Sequence, residues 1–201
     1  LKLSSDIAVR RAAITSLGWF SQSEQCEKLV SELLKLCSDS DYIVRNTAIK
    51  SLSSFAHSSQ SEQIVAKLLK LCSDSESSVR TSVIESFCYF SHSNQRDKIV
   101  TELIKMSVDA GIHARALAIK NLCSFSQGEQ CERIVGELFK QCSDDNNYVR
   151  TAAITALGSF THCNQRDKIV LHLIQVYSDS GLNVSTAAIE SLGAFSHTEQ
   201  C

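Results

Sequence analysis

The sequence of 201 residues contains no proline and only seven glycines. Proline breaks the interior of a helix, so its absence leaves helices possible along the whole chain. No apolar run approaches the roughly 18 residues that cross a bilayer, and no basic start leads into an apolar segment as in a signal peptide. The sequence therefore predicts a soluble protein of the cytoplasm that does not bind membranes.

The chain also lacks an excess of charge of either sign. Its net charge is −2 and its isoelectric point is about 6.3, so no overall field attracts nucleic acid or anionic lipid. It has no glycine-rich phosphate loop, and no segment gathers distinct polar groups as a catalytic site requires. We therefore expect no enzymatic activity, no cofactor and no nucleic-acid partner.

Nine cysteines are present, but none forms a CxxC motif. Cysteines that share a repeat position would lie about 8–10 Å apart on adjacent helices. That separation exceeds the roughly 7 Å Cα limit for a disulfide. We expect buried free thiols that fill the core as small apolar side chains, which favours a reducing compartment.

What the sequence does contain is a period of 35 residues. Phenylalanine recurs at this interval, with isoleucine and glutamine in step, at Phe20, Phe55, Phe90, Phe125, Phe160 and Phe195. A fixed period between 20 and 50 residues is typical of a solenoid, whose units bury their apolar faces by stacking. We predict one continuous solenoid domain divided into a partial repeat, 1–25, and the repeats 26–60, 61–95, 96–130, 131–165 and 166–200.

Within residues 61–95 the apolar spacing predicts a helical hairpin. The first segment, from Glu62 to about Cys72, carries one apolar stripe, and so does the second, from about Ser77 to Phe90. The fold class is therefore all-α. Ser59, Asn94 and Asn164 stand three residues before Glu62, Asp97 and Asp167, a spacing that predicts a capping box at the start of each first helix.

The second segment also carries a recognisable motif. Val44–Arg45, Val79–Arg80 and Val149–Arg150 follow an acidic turn, and in the first and third of these an alanine, an isoleucine and a leucine come next. This order resembles the HEAT-repeat family along the whole chain, whereas the Trp…Leu-Gly…Tyr signature of tetratricopeptide repeats is absent. The resemblance implies a right-handed α-solenoid whose second helices line a concave surface.

The resemblance also implies a ladder of turn aspartates and helix arginines along the stack, since a guanidinium at the core edge needs acceptors. The assigned residues are Asp39, Arg45, Asp74, Arg80, Asp109, Arg115, Asp144 and Arg150. Ser185 replaces the arginine in the last repeat. Ser5-Asp6-Ile7-Ala8 runs two residues shorter than the matching turn after Ser38, which predicts an irregular first unit. Because the chain starts and stops inside repeats without a capping unit, we expect a fragment of a larger protein.

A histidine column near the end of the second helix, His57, His92, His162 and His197, raises the question of a metal. Both rings of a pair would have to lie within about 2.1 Å of one ion, which the column spacing disfavours. Helix C-termini favour protonated histidine, which is the simpler interpretation. No His-Glu dipeptide occurs, which excludes the di-iron centre of the HEAT-like deoxyhypusine hydroxylases. We expect no metal site.

The exposed stripe of the second helices is the remaining candidate site. Its varied residues suit a protein or peptide partner, and exposed aromatic side chains are typical interface anchors. The predicted binding residues are Trp19, Lys50, His57, Glu85, Tyr89, His92, Lys120, His162 and Glu190. Trp19 could equally cover an end of the stack where another repeat packs.

The sequence therefore predicts a non-enzymatic protein-interaction scaffold that binds a protein or peptide on the concave surface. Two alternatives remain open. One is a HEAT-like nucleic-acid-binding protein, including a DNA glycosylase, and the other is a HEAT-like enzyme of the bilin-lyase type. The stripe carries two lysines and two glutamates, which disfavours a track for phosphates.

Overall fold

The computed structural model describes residues 6–109, 111–179 and 182–196, without the side chains of Asp109 and Asp179. These residues form eleven α-helices and no strand, which confirms the all-α prediction. The helices are α1 (Ile7–Leu17), α2 (Cys26–Leu36), α3 (Tyr42–Leu52), α4 (Ser61–Leu71), α5 (Ser77–Phe87), α6 (Arg96–Asp109), α7 (Ile112–Leu122), α8 (Cys131–Gln141), α9 (Asn147–Leu157), α10 (Arg166–Asp179) and α11 (Leu182–Ser196).

The helices begin in register with the sequence period. The first helices of the repeats, α2, α4, α6, α8 and α10, start 35 residues apart, and so do the second helices, the odd-numbered α1 to α11. Short 3-10 turns extend four of the second helices, at Gly18–Phe20, Ser53–Phe55, Cys88–Phe90 and Cys123–Phe125. The exact division of the chain into repeats stays a prediction.

Side-chain caps fix the starts of three second helices. Asp6 accepts from the N–H of Ala8 at 2.8 Å, and Asp41 accepts from that of Ile43 at 2.8 Å. Asn146 caps α9 in the same way. Asp6 lies 35 residues before Asp41, so the first unit keeps the common register, and the prediction that its turn is shorter was wrong.

The first helices start differently from the prediction. The residue before α4 is Gln60, which makes no side-chain cap, and the chain enters through a turn in which Ser61 N–H donates to Ser58 O at 3.1 Å. Ser59 is therefore not the N-cap, and the predicted capping box with Glu62 was wrong. The carboxylate of Glu62 instead accepts hydrogen bonds from the turn that follows α5, as described below.

The described residues fall into two compact units, Leu1–Ile99 and Val100–Cys201. In the first unit α2 packs on α3 and α4 on α5, while α1, α3 and α5 lie side by side. In the second unit α8 packs on α9 and α10 on α11, while α7, α9 and α11 lie side by side. Each unit is thus a stack of helical hairpins joined through their second helices.

The predicted core columns are buried with two exceptions. Ile14, Ile49, Ile84, Ile119 and Ile154 are fully buried, and the phenylalanines from Phe55 to Phe160 are at most 1% exposed. Phe20 and Ile189, however, are 55% and 54% exposed. These two positions differ because, among the described residues, no further helix packs on that side of α1 or of α11. Within the described part of the chain, no helix is both long and apolar enough to cross a membrane.

Candidate functional site

The arginine–aspartate ladder joins successive hairpins. The guanidinium of Arg45 donates to both carboxylate oxygens of Asp74, at 3.0 and 2.8 Å, and to the backbone carbonyls of Asp39 and Ser40. Arg115 donates from Nη2 to one carboxylate oxygen of Asp144, and from Nε to the carbonyl of Ser107 on α6 at 3.2 Å. Each of these arginines therefore ties its own hairpin to the turn 29 residues later, which positions one second helix against the next.

For two further arginines the structure shows only contacts with their own turns. Arg80 and Arg150 donate to carbonyls of their own turns, Arg80 to Asp74 O at 2.6 Å and Arg150 to Asp144 O at 2.7 Å. The side chain of Asp109 lies outside the described residues, so its assigned place in the ladder stays a prediction.

Sequence reasoning missed the first rung of the ladder. Arg10 donates to the carboxylate of Asp39 at 2.6 Å, and both side chains are about one-fifth exposed. The signal was available, because Arg10 stands 35 residues before Arg45. The prediction of an irregular first unit left Arg10 out of the ladder.

The ladder changes the acidity of Asp74. Burial alone would raise the pKa of this carboxyl. The hydrogen bonds from Arg45 and from the N–H of Glu76, with the positive charges of Arg45 and Arg80, outweigh burial and hold the pKa below its usual value. The rung is therefore built around an ionised aspartate.

A second contact, between a first helix and the turn that follows its second helix, starts from Glu62. Its carboxylate accepts from Ser93 Oγ at 3.0 Å, from Asn94 N–H at 2.9 Å and from Gln95 Nε2 at 3.1 Å. Burial would raise the pKa of Glu62, but these hydrogen bonds lower it overall. In the second unit Asn164 Nδ2 donates to Glu132 at 3.3 Å. Glu62 and Glu132, which share one repeat position on the first helices, thus bind the turn that follows the second helix of the same hairpin.

All nine predicted binding residues are exposed. The three histidines among them lie in the turns that follow the second helices, not on the helices themselves, and His197 lies outside the described residues. In the first unit five of the nine line two depressions.

The larger depression is a groove between α1 and α3, with a volume of about 440 Å³. Trp19 forms one wall with its side chain 81% exposed, and Lys50 contributes from α3. The residues that give the groove its character are Arg11, Thr15, Trp19, Asn46, Lys50 and Ser54. We call this depression the Trp19 groove.

A charged pair borders the Trp19 groove. Lys50 Nζ lies 3.3 Å from the carboxylate of Glu85 on α5, with side chains 61% and 44% exposed. The two opposite charges that the sequence placed one repeat apart therefore neutralise one another. Such exposed pairs contribute at most about 1 kcal/mol.

The smaller depression brings together three predicted residues, His57, Tyr89 and His92. It has a volume of about 210 Å³ and also includes Ser61 and Ser93. Tyr89 is 57% exposed and stands in the same repeat position as Trp19. We call this depression the His57–His92 pocket.

The second unit contributes Lys120, His162 and Glu190, all of them exposed. Lys120 Nζ lies 5.5 Å from the ring centroid of Tyr148, a cation–π contact that sequence reasoning did not find.

A further cavity of about 410 Å³, which the sequence analysis did not predict, lies among the first helices of the second unit. There the ring of His172 meets that of Phe139 edge-on at 4.8 Å between centroids. Burial, and then the charge of Lys168, lowers the pKa of His172. This favours the neutral imidazole.

The eight described cysteines are free thiols, and five of them are buried. Burial raises the pKa of Cys37 and of Cys142 to about 12, which agrees with a role as apolar fillers. Burial, and then a hydrogen bond with Cys163, raises the pKa of Cys131. The sequence prediction compared only cysteines that share one repeat position, whereas Cys131 and Cys163 occupy different repeat positions. No group of three potential metal ligands occurs in the part of the chain that the structure describes.

Comparison with known proteins gives a family and a fold. Residues 1–88 match the family model described as HEAT repeats. No curated protein matches the chain. This confirms, for the first part of the chain, the resemblance drawn from the sequence.

Three solved structures illustrate the fold. A designed armadillo repeat protein in complex with peptide (KR)4 is 20% identical, with a TM-score of 0.62, over 96% of this chain and 95% of that one. The CpcE–CpcF complex of phycocyanin lyase from Nostoc sp. PCC7120 is 18% identical, with a TM-score of 0.60, over 96% and 73%. A mutant of Kap121p is 15% identical, with a TM-score of 0.72, over all of this chain and 24% of that one. At these identities the similarity shows the solenoid fold alone.

Proposed function

We propose that this HEAT-like repeat protein is a non-enzymatic scaffold that binds an extended peptide segment of a partner protein. The segment lies across the second helices of the first unit, in the Trp19 groove, and extends to the His57–His92 pocket. We further propose that this side is the concave surface of the solenoid and that the protein acts in the cytoplasm.

The observation that carries the proposal is the exposure of Trp19 at the wall of an open groove. An indole that is 81% exposed leaves a large apolar area in water, which burial against a partner would remove. Tryptophan and tyrosine are enriched among the residues that dominate binding energy, and Tyr89 repeats the Trp19 position two units later.

The remaining lining suits a peptide backbone. Asn46, Thr15 and Ser54 supply amide and hydroxyl groups along the groove, and such groups orient a ligand within a mostly apolar site. The groove is an open depression between α1 and α3, not an enclosed cavity with converging polar groups. That arrangement favours binding over catalysis.

The relatives of similar fold support more than one function. The designed armadillo protein was solved with the peptide (KR)4, which is consistent with peptide binding on such a fold. CpcE and CpcF form a phycocyanin lyase, so this fold also occurs in an enzyme. The absence of converging catalytic groups around the Trp19 groove makes binding the better supported function here.

Selection of ligands from a library of random linear peptides displayed on phage tests the proposal. We expect peptides to be enriched on the native chain and to lose binding to Trp19→Ala, because the indole supplies the apolar contact. Tyr42→Ala is the matched control, since it removes another exposed aromatic ring of the same unit outside the groove.

Two results would contradict the proposal. One is that no peptide is enriched on the folded native chain. The other is that the enriched peptides bind Trp19→Ala as tightly as the native protein, which would move the binding site elsewhere. A duplex DNA added to the same assay tests the nucleic-acid alternative directly.

A further inference from the structure

We propose that the Trp19 groove selects an acidic peptide, in which carboxylate side chains flank an apolar residue that packs on Trp19. This inference rests on the proposed function and names the chemistry of the partner. It follows from the charges, the unpaired groups and the apolar wall of the groove.

The charge of the lining has one sign. Arg11 and Lys50 line the groove, and every other lining residue is uncharged. The groove is therefore a local positive site on a chain whose net charge is −2. Complementary charge across an interface selects partners and sets their register.

Arg11 is free to bind a ligand, in contrast to its neighbour. The guanidinium of Arg10 is held by Asp39 at 2.6 Å on the inner side of α1. One residue later the helix has turned by about 100°, so Arg11 points outward, where it is exposed. It makes no hydrogen bond or ion pair with any residue that the structure describes.

Lys50 can exchange its partner at little cost. Its pair with Glu85 is largely exposed, and Glu85 lies on α5, outside the lining of the groove. Exposed pairs of this kind are worth little, because both groups remain well hydrated. A ligand carboxylate that also contacts Arg11 can therefore compete with Glu85 for Lys50.

Asn46 and Trp19 fit the remainder of such a peptide. Asn46 Nδ2 donates to Ser78 Oγ at 3.3 Å, whereas its Oδ1 is shielded from solvent and accepts no hydrogen bond within the described chain. A backbone N–H of the ligand would supply the missing donor after a small rotation of the amide. The exposed face of Trp19 then receives the apolar side chain.

Nucleic acid is also anionic, but the groove suits it less. Strands that bind through phosphates need a row of cations along the contact. Here two cations stand at one groove, and the neighbouring helix contributes the acid Glu85. A short acidic peptide requires only those two cations.

The test uses Trp19 as its probe, since it is the only tryptophan of the chain. Three pools of degenerate peptides share a central apolar residue and differ in their flanks, which are acidic, uncharged or basic. A single-stranded oligonucleotide forms a fourth ligand. We expect the acidic pool to shift Trp19 emission saturably, with an affinity roughly tenfold above that of the uncharged pool and falling with salt.

Variants connect the preference to the groove. Arg11→Glu/Lys50→Glu should abolish the preference for acidic flanks, or reverse it. Lys28→Glu/Lys70→Glu changes net charge equally on exposed positions of α2 and α4, and should leave the preference unchanged. Melting curves confirm that both variants fold.

The outcomes separate the two proposals. Equal binding of the three pools, stronger binding of the basic pool or of the oligonucleotide, or a preference that survives Arg11→Glu/Lys50→Glu would overturn the acidic selectivity while leaving a binding function in place. No response of Trp19 to any pool would overturn both proposals.

Discussion

At the scale of single residues, position in the stack decides what a side chain contributes. Phe20 and Phe90 occupy the same repeat position, yet one is 55% exposed and the other 1%. The sequence could predict the column, because its period is regular. It could not predict the exposure of Phe20, because exposure depends on which helices pack on that side.

This difference predicts unequal effects of the same substitution. We expect Phe90→Ala to lower the free energy of unfolding by about 3–5 kcal/mol, because it leaves a cavity in the core. Phe20→Ala should lower it by much less, since most of that ring already contacts water. Urea unfolding curves of both variants measure the effect. Similar losses at the two positions would contradict the packing described.

Asp74 predicts a dependence of stability on pH. Its pKa is lowered in the folded protein, so its ionised form stabilises the fold above the unfolded pKa of about 3.9, and this contribution is lost as the pH falls through the folded value. Asp74→Asn should lower stability at neutral pH and flatten the loss of stability in acid. Melting temperatures between neutral and acidic pH give the comparison.

The matched control for Asp74 is Asp145→Asn. Asp145 is exposed, and its side chain forms no hydrogen bond between repeats among the described residues. We expect its substitution to change neither the neutral-pH stability nor the acid profile appreciably. A flat acid profile for the native chain, or equal effects of the two substitutions, would rule out the proposed contribution of Asp74.

At the scale of helices, local sequence motifs predicted the elements better than their connections. The apolar spacing predicted both helices of the hairpin, and the resemblance to HEAT repeats predicted a ladder of arginines and aspartates, to which the Arg45–Asp74 pair belongs. The capping box failed because Glu62 binds Ser93, Asn94 and Gln95 of the turn that follows α5. A motif confined to a few residues carries no information about a partner more than 30 residues away.

The contacts between second helices predict a contrast in stability. Arg45→Ala leaves the carboxylate of Asp74, which is 10% exposed, without its cation, and should cost about 3 kcal/mol, near the lower end for breaking a buried pair. Lys50→Ala breaks the exposed pair with Glu85 and should cost less than about 1 kcal/mol. Chemical denaturation distinguishes the two. A larger loss for Lys50→Ala would show that the wrong contact was assigned to hold the repeats.

At the scale of the whole molecule, the 35-residue period predicted the class of fold and little of the site. Repetition predicts which columns face outward, and the nine predicted residues are indeed exposed. It could not predict that Trp19 and Lys50 share a groove, or that His57, Tyr89 and His92 share a pocket. Those groupings depend on the distance between adjacent helices, which composition and spacing do not specify.

The central claim is that the second-helix side of the first unit is the binding surface. The most direct measurement is a titration of the isotope-labelled full chain with a selected peptide, followed by backbone amide chemical shifts. The account predicts that the largest shifts cluster at Arg11, Trp19, Asn46, Lys50 and Ser54. Shifts concentrated on the first helices α2 and α4, or confined to the second unit, would contradict it.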